Sequence, residues 1–376
     1  MRATISRSLD QGNYGSASID VFVANISETG MNSTYSPIAI NPTNVIIAVF
    51  LLVSFLVGTT INGLFLWVLV VRMKSTVNIL WFRHLLLIFL IVSSIMPFFA
   101  VHGLLGFHWI FGKVLCKVLN ALGSLGIFFE VFILTIISLD RYFTVCHPIW
   151  SQHNRTISRA RRIIAGTWLV SLVFSVPYLL FRETHEATNG RIICENNYTF
   201  FLDAEKTERD ALAYRIRLVL FVMRFLLAFL LPFLIIAGCY YKIGQEIKKR
   251  RLVGKYRKTF KILITSVVSF FICWLPYHLY YASQLLGELP DGIHLFLSVV
   301  MRVGLCFNFC FTSSLYLFVG QKFQQVFKTS IVTLLQRDFA DVPFLFVDNA
   351  NMAAGDDQQQ HQFGAQGNSK HGFAKK

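Results

Sequence analysis

Seven long apolar runs constrain this chain more than any other feature of its sequence. They cover approximately residues 45–71, 79–101, 114–142, 162–181, 216–243, 259–286 and 293–318. Each run is about 20 to 29 residues long, enough for an α-helix to cross the roughly 30 Å hydrocarbon core of a bilayer. Helices also satisfy their own backbone hydrogen-bonding groups, as a membrane interior demands. The runs therefore predict an all-α membrane protein, a bundle of seven transmembrane helices.

The composition agrees with a membrane protein and argues against a nucleic-acid-binding one. Of the 376 residues, 55% are hydrophobic and 37 are Phe, and the mean hydropathy is +0.55. The formal net charge of +15 could suggest a nucleic-acid partner, but Lys and Arg cluster beside the apolar runs, as juxtamembrane residues do. We therefore expect membrane lipid to surround this chain and no nucleic acid to bind it.

Basic residues predict how the bundle lies in the membrane. The loops after the first, third and fifth runs are rich in Lys and Arg, whereas residues 182–215 mix acidic and basic side chains. Because Lys and Arg concentrate on the cytoplasmic side, we expect a multi-pass plasma-membrane protein with an extracellular N-terminus and a cytoplasmic C-terminus. The three sequons that would then face outside, at Asn25, Asn32 and Asn197, are predicted glycosylation sites.

This orientation divides the chain into four segments. Residues 1–44 are predicted to be a disordered, glycosylated extracellular tail, and residues 45–320 are predicted to be the transmembrane domain. Residues 321–336 have the apolar face and the lysines of an amphipathic helix that lies on the membrane surface. Residues 337–376 are polar and Gln-rich, which predicts a disordered cytoplasmic tail.

The third run carries a polar stripe that predicts a place at the centre of the bundle. At about 100° per residue, Gly123, Glu130 and Arg141 fall within roughly 20° of one another on a helix. This stripe contains a glycine without a side chain, an acid and a cation, and none of these suits a lipid-facing surface. We expect the third helix to be central, with this stripe turned inward.

Two of the seven cysteines form a predicted disulfide. Cys116 lies near the start of the third run and Cys194 lies in the long outer loop, so both face the oxidising side of the membrane. The other five lie in or beside predicted spans at mid-membrane or on the inner side. A disulfide between Cys116 and Cys194 would tether the outer loop across the mouth of the bundle. Two free thiols are the alternative.

The chain resembles the rhodopsin-like (class A) G-protein-coupled receptors along residues 45–335. The matching residues are Asn62, Trp109-Ile110-Phe111-Gly112 before Cys116, Asp140-Arg141-Tyr142, Trp168, Pro232 with Tyr240, Phe270-x-x-Cys273-Trp274-x-Pro276, and Tyr316 with Phe318. Within this family the chain is similar to the chemoattractant branch, which holds the formyl-peptide, anaphylatoxin and chemerin receptors. That closer likeness rests on Arg224-Phe225 and on Leu317-Phe318-Val319-Gly320. The resemblance implies a receptor rather than an enzyme, with no cofactor and no metal.

Within that branch, four segments resemble one orphan receptor in particular. They are Thr76-Val77-Asn78, His147-Pro148-Ile149-Trp150-Ser151-Gln152, Phe181-Arg182-Glu183-Thr184-His185 and Pro276-Tyr277-His278.

The resemblance also implies an activation machinery. Asp140 would hold Arg141 while the receptor rests, and activation would release Arg141 toward Tyr240 and Tyr316, with Tyr142 completing the motif. Ligand contact would reach the sixth helix through the residues Phe270, Trp274 and Pro276. The partners implied are a heterotrimeric G protein of the inhibitory type and arrestin. The plainer alternatives are an Arg at the membrane interface and an aromatic core stripe.

The predicted ligand cavity is cationic. Five residues fall on positions that line the cavity of related receptors, namely Gly123, Arg224, Tyr277, His278 and Arg302. Gly123 stands where amine receptors carry an Asp. A cationic cavity without that acid selects an anionic ligand group, most simply the carboxylate of a peptide C-terminus or of a lipid acid. The alternative is that one arginine pairs with an outer-loop acid such as Glu195 or Asp203.

The chain also departs from the family in its polar core, for which we name Asn62, Glu130, Asn308, Thr312 and Ser313. Phe89 replaces a mid-membrane Asp, and Thr312-Ser313 replaces the usual Asn-Pro pair. Glu130 is then either a neutral acid that donates a hydrogen bond to Asn62, Asn308, Thr312 or Ser313, or a charged one that holds sodium. We favour the neutral form, because burial penalises the charged one. These departures make a silent or decoy receptor, which binds ligand without efficient G-protein activation, the alternative function.

Overall fold

The chain folds into a bundle of long apolar helices that carries a small β-hairpin at one end. The computed structural model describes residues 42–187, 190–198, 205–249, 255–286 and 290–317, together with Thr329. The helices are α1 (Pro42–Trp67), α2 (Val77–Leu104), α3 (Gly112–Cys146), α4 (Pro148–Asn154), α5 (Ile157–Phe181), α6 (Lys206–Phe225), α7 (Leu231–Lys249), α8 (Lys255–Leu286) and α9 (Asp291–Leu317). The strands are β1 (Arg182–Glu186) and β2 (Ile192–Asn196).

Each predicted apolar run corresponds to one long helical stretch. A π-helical turn, Val68–Arg72, extends α1, and a second, Leu226–Leu230, joins α6 to α7 into one stretch of 44 residues. Within the described residues, five helical stretches are long and apolar enough to cross a membrane. α8 has 32 residues, and α9 contains the apolar segment Leu295–Cys310. The predicted seven-helix bundle is confirmed.

Helix ends differ from the apolar runs where polar residues set them. α5 begins at Ile157, because the Thr156 hydroxyl caps it by accepting a hydrogen bond from the Arg159 amide at 3.3 Å. α6 begins at Lys206, ten residues before the fifth apolar run, with a polar first half that hydropathy does not detect. The short helix α4, which Pro148 begins, was not predicted.

α3 lies at the centre of the bundle, as its polar stripe predicted. In its most apolar segment 78% of the residues are buried, against 28% for α1 and for α5 and 22% for the α6–α7 stretch. Gly123 and Glu130 are buried. Lipid-facing helices keep an exposed apolar side, whereas α3 is covered on nearly all sides.

Glycines let pairs of helices approach closely at three places. A Cβ atom added at Gly58 would lie 2.8 Å from the Ser93 hydroxyl oxygen, where α1 meets α2. A Cβ at Gly304 of α9 would lie 2.7 Å from the backbone oxygen of Cys273 in α8. At Gly126 of α3, the same addition would meet a Val92 methyl group at 2.4 Å. Small residues at helix contacts are the usual way in which membrane helices pack, because backbones gain van der Waals contact there.

The β-hairpin is fixed to the start of α3 by a disulfide. β1 and β2 pair antiparallel with Thr184 opposite Cys194, and Cys194 is bonded to Cys116, as predicted, with the two Cα atoms 5.9 Å apart. The backbone amide of Trp109, in the loop before α3, donates to the Ile192 carbonyl at 2.8 Å. The hairpin therefore lies against the bundle at two points of the chain.

Two lysines of α3 add an ionic contact to the hairpin. Lys113 and Lys117 reach the two carboxylate oxygens of Glu183 at 2.8 and 2.7 Å. Burial raises the pKa of the Glu183 carboxyl, but the hydrogen bonds from Lys113 and Lys117 outweigh it and hold that pKa below its usual value.

Several predictions on the chain's outer segments are not tested by this structure. Asn25, Asn32, the segment 321–336 apart from Thr329, and all of 337–376 lie outside the described residues. Asn197 lies directly after β2 and is exposed.

Candidate ligand-binding and activation sites

Arg224 lies in a cage of aromatic rings near the hairpin end of the bundle. It occupies the last turn of α6 and is only 8% exposed. Its guanidinium carbon lies 4.9 Å from the ring centre of Tyr178 and 5.4 Å from that of Tyr281. The same guanidinium donates a short hydrogen bond to the Tyr277 hydroxyl. Cation–π contacts hold a buried cation in place without neutralising its charge.

A narrow cavity opens beside this cage. Its volume is about 30 Å³, close to one water molecule's share of liquid, so it admits a group the size of a carboxylate. Arg217 and Arg224 both line it, and none of its described lining residues is acidic. Glu195 pairs instead with His185 at 3.1 Å, and Asp203 lies outside the described residues. Of the two acids considered as partners of an arginine, Glu195 is thus engaged by His185.

The sequence interpretation missed two further arginines at this site. Arg182 is the first residue of β1, directly after α5, and is fully buried, with a guanidinium nitrogen 3.4 Å from the Asn196 side-chain oxygen. Arg217 lies seven residues before Arg224, and its guanidinium sits 5.8 Å from the Tyr198 ring centre. The spacing of Arg217 is a signal in the sequence, because residues seven apart share a helix face. Arg182 carries no such signal.

The other predicted ligand residues lie elsewhere in the bundle interior. Arg302 of α9 is buried near Tyr280. His278 is buried with its ring 4.8 Å from that of Phe229, and Gly123 is buried in α3. None of these three lines the cavity beside Arg224. The structure therefore brings Arg224 and Tyr277 together, with the His278 ring 5.2 Å from that of Tyr277, whereas Gly123 and Arg302 do not line this cavity.

A stack of aromatic rings leads from the Arg224 cage into the core. Tyr277 contacts Trp274 at 5.3 Å between ring centres, and Trp274 contacts Phe270 at 5.9 Å and Phe309 of α9 at 6.1 Å. All four side chains are buried. α8 continues as a helix through Pro276. The stack therefore connects Arg224, through its bond to Tyr277, with the contact between α8 and α9.

At the opposite end, Asp140 binds Arg155 of the loop after α4. Arg155 donates to both Asp140 carboxylate oxygens, at 2.7 and 3.0 Å, and also to the side-chain oxygen of Asn78 in α2. Asp140 is thus tied to the loop and is also close enough to Arg141 for an electrostatic interaction. The Nε atom of Arg141 is buried, with no hydrogen-bond partner among the described residues.

The three tyrosines of the predicted activation set differ in how they are placed. Tyr142 bonds through its hydroxyl to the His147 ring at 3.1 Å. Tyr240 of α7 is buried and close enough to Arg141 for an electrostatic interaction. Tyr316 belongs to the backbone of α9, but its side chain lies outside the described part of the chain.

Glu130 of α3 and Asn308 of α9 form a buried polar pair. The Asn308 amide nitrogen lies 2.6 Å from one Glu130 carboxyl oxygen, and the other oxygen is buried with no hydrogen-bond partner in the described part. Phe89 is fully buried and packs edge-on against Phe309 at 5.8 Å. Asn62 donates to the Phe309 carbonyl at 3.0 Å. The side chains of Thr312 and Ser313 are outside the described residues.

We predict that Glu130 is neutral and that sodium does not bind there. A lone carboxylate is costly in this apolar surrounding, whereas a neutral carboxyl needs only the hydrogen bond from Asn308. The melting temperature of the purified protein should then be nearly equal in sodium chloride and in choline chloride. Glu130→Gln has the same shape and the same lack of charge as a neutral Glu130, so this variant should melt within a few degrees of the parent. Glu130→Leu removes the acceptor of the hydrogen bond from Asn308 and should lose about 1–3 kcal/mol.

A clear stabilisation by sodium that disappears in Glu130→Gln would show a charged carboxylate that holds the ion, because a bound ligand stabilises the folded state. That result would reject the neutral form.

Comparison with known proteins identifies the family. The family model "7 transmembrane receptor (rhodopsin family)" matches residues 61–314. The protein named "Probable G-protein coupled receptor 33" of Pan paniscus is 44% identical over 297 residues, which cover 79% of this chain and 88% of that protein. "N-formyl peptide receptor 3" of Macaca mulatta is 35% identical over 297 residues, covering 77% and 84%. "Chemerin-like receptor 1" of Sus scrofa is 33% identical over 296 residues, covering 77% and 80%.

These matches confirm the resemblance drawn from the motifs, including the likeness to one orphan receptor. Receptors of this family are multi-pass plasma-membrane proteins that take an extracellular ligand and act on a heterotrimeric G protein. The chain is a receptor rather than an enzyme, and it belongs to the rhodopsin family of seven-transmembrane receptors, on the chemoattractant branch.

Proposed function

We propose that this receptor binds an anionic chemoattractant-type ligand, either a peptide C-terminus or a lipid acid. The observation that carries the proposal is the buried Arg224 in its aromatic cage, beside a cavity lined by a second arginine and, among its described residues, by no acid. A carboxylate that enters this cavity gains charge-assisted hydrogen bonds in a desolvated setting. Two relatives support a peptide ligand, since their names specify chemerin and formyl peptides.

We expect Arg302 to add to the binding of longer ligands. Arg302 is buried in α9, away from the cavity beside Arg224. A peptide that spans the bundle mouth would place its terminal carboxylate at Arg224 and a second acidic group at Arg302. A lipid acid has one charged group and would need Arg224 alone. Acidic peptides with and without the second acid separate these two ligand classes.

The proposed orientation places the hairpin end outside and the Arg141 end in the cytoplasm. It rests on the basic loops around residues 72–74 and 155–162 and on the lysines at the end of α7. Exposed Asn197 would then lie on the outer side and accept a glycan. Digestion with an N-glycosidase should shift the mass of the surface protein, and Asn197→Gln should remove one part of that shift.

Coupling to an inhibitory-type G protein is the proposed signalling route, with arrestin as a further partner. Expressed in cells, the receptor should suppress cyclic AMP when acidic peptides or lipid acids that bind it are added. Pertussis toxin should abolish this suppression, because the toxin inactivates inhibitory G proteins. An increase in cyclic AMP driven by the same ligands would overturn the assignment.

The alternative is a decoy receptor that binds ligand without activating a G protein. Two observations favour it, namely the Phe89–Phe309 contact in place of a polar centre and the tie between Asp140 and Arg155. Ligand-stimulated nucleotide exchange, measured with purified receptor and G protein, separates the two functions. Saturable binding without any exchange would establish the decoy.

A further inference from the structure

An apolar groove runs between α7 and α8 on the outside of the bundle. Its volume is about 530 Å³, and its lining is hydrocarbon except for the hydroxyls of Tyr240 and Tyr241. Ile236 and Phe271 are buried and form its floor, whereas Ile272 on its rim is 65% exposed. The groove therefore opens to the membrane and not to the ligand cavity. An apolar groove that faces the hydrocarbon core favours an acyl chain over water, because water would find almost no hydrogen-bond partner there.

The length of the groove matches one leaflet. Its lining on the α7 side extends from Phe229 to Tyr241, which is roughly 18 Å of helix. Half of the hydrocarbon core measures roughly 15 Å. One end is closed by Phe271, whose ring contacts Phe229 at 5.5 Å and Phe233 at 4.9 Å. A single acyl chain of one leaflet would fit from this aromatic end to Tyr241.

The open end of the groove is positively charged. Lys248 lies seven residues beyond Tyr241, so it is within roughly 20° of the same helix face and roughly 10 Å further along. Lys242 and Lys249 are also exposed at this end. The one acid of α7, Glu246, points roughly 140° away from Tyr241 but lies within roughly 40° of Lys242, four residues before it, so Lys248 is the lysine nearest the groove face. Lysines just beyond an apolar groove attract an anionic lipid headgroup.

We infer that this groove is a binding site for an anionic phospholipid, with one acyl chain between α7 and α8 and the headgroup at Lys248. Neutral phospholipid would fill the groove equally well but would gain nothing at the lysines. The headgroup charge therefore gives the site its selectivity. Only the assignment to the cytoplasmic leaflet depends on the orientation proposed above.

The test uses the full-length receptor in phosphatidylcholine nanodiscs that contain a small share of a photoactivatable lipid. The lipid carries its reactive group in mid-chain and is either a phosphatidylserine or a phosphatidylcholine. Labelled peptides are then mapped by mass spectrometry. We expect the phosphatidylserine probe to label the groove segments of α7 and α8 several-fold more than the phosphatidylcholine probe does. Nanodiscs present the same lipids at both faces, so the result does not depend on orientation or on signalling.

Two variants and two matched controls assign the labelling to the groove. Lys248→Gln should lower labelling by phosphatidylserine about fivefold, the change that about 1 kcal/mol per lysine represents, whereas Lys74→Gln in the α1–α2 loop should not. Ala237→Phe fills the groove from its exposed wall and should remove labelling there by both probes. Leu234→Phe adds a ring to an exposed position outside the lining and should leave labelling unchanged.

Three results would overturn the inference. Equal labelling by the two probes would show that the headgroup charge is not recognised. Labelling spread evenly over all lipid-facing helices would show ordinary boundary lipid. Loss of groove labelling when a sterol is added would assign the groove to sterol instead.

Discussion

Replacing Arg224 by alanine should weaken the binding of a carboxylate ligand by a factor of about 30 to several thousand. This range corresponds to the 2–5 kcal/mol lost when one partner of a desolvated charge pair is truncated. The loss should be large because Arg224 is buried in its ring cage and needs no reorganisation to meet the ligand. Binding is measured with a radiolabelled acidic peptide obtained by screening.

The ligand itself provides the sharpest control. The same peptide with an amidated C-terminus lacks the carboxylate and should bind the parent receptor as weakly as the acid binds Arg224→Ala. Amidation should then cause little further loss in the variant, because both changes remove one interaction. Arg209→Ala, at an exposed position near the start of α6, should bind like the parent. If Arg224→Ala and Arg209→Ala have equal effects, the anion site is not at Arg224.

Removing the Cys116–Cys194 disulfide should lower the free energy of unfolding by about 2–5 kcal/mol. The bond closes a long loop, with a sequence separation of 78, and fixes the hairpin to α3. Cys116→Ala/Cys194→Ala removes both sulfurs and leaves no buried free thiol. We expect this variant to reach the cell surface in much smaller amounts and to melt several degrees lower in detergent. Thermal unfolding and surface labelling measure the two effects.

Cys146, which forms no disulfide, supplies the matched control. It is partly exposed and outside any disulfide, so Cys146→Ala should melt like the parent. Mass spectrometry of non-reduced peptides should show the Cys116–Cys194 link directly. If both thiols react with an alkylating reagent in folded surface receptor, the disulfide does not exist in the cell.

Hydropathy and charge predicted the bundle because each transmembrane helix needs a continuous apolar stretch of about 20 residues, which is visible in the sequence. The central place of α3 followed from one stripe, since Gly123 and Glu130 suit no lipid-facing position. The hairpin was not predicted, because β1 and β2 are short, polar and alternate irregularly. Their pairing depends on the disulfide and on Glu183, which act across the fold and leave no local pattern.

Some residues of the candidate sites were also predicted from the sequence, and others were missed. Arg224 and Tyr277 were predicted as ligand residues and do meet in the structure. Arg182 was missed because its burial depends on the hairpin that follows it. The partner of Asp140 was also missed, because Arg155 lies fifteen residues away in a loop whose course no periodicity determines. Side chains that act through tertiary contacts are thus the ones that a single sequence hides.

The close contact between Gly304 of α9 and Cys273 of α8 provides a pivot point partway along α8. Gly304 has no side chain, so the backbones of α8 and α9 are in direct contact there and cannot come closer. A rigid α8 that tilts would therefore pivot at this contact. From Cys273 the helix extends roughly 20 Å to Leu286 and roughly 27 Å to Lys255. A rigid α8 would therefore convert each ångström of movement beside the Arg224 cage into about 1.4 Å of opposite movement at Lys255. A side chain at position 304 would push α8 and α9 apart and move this pivot point.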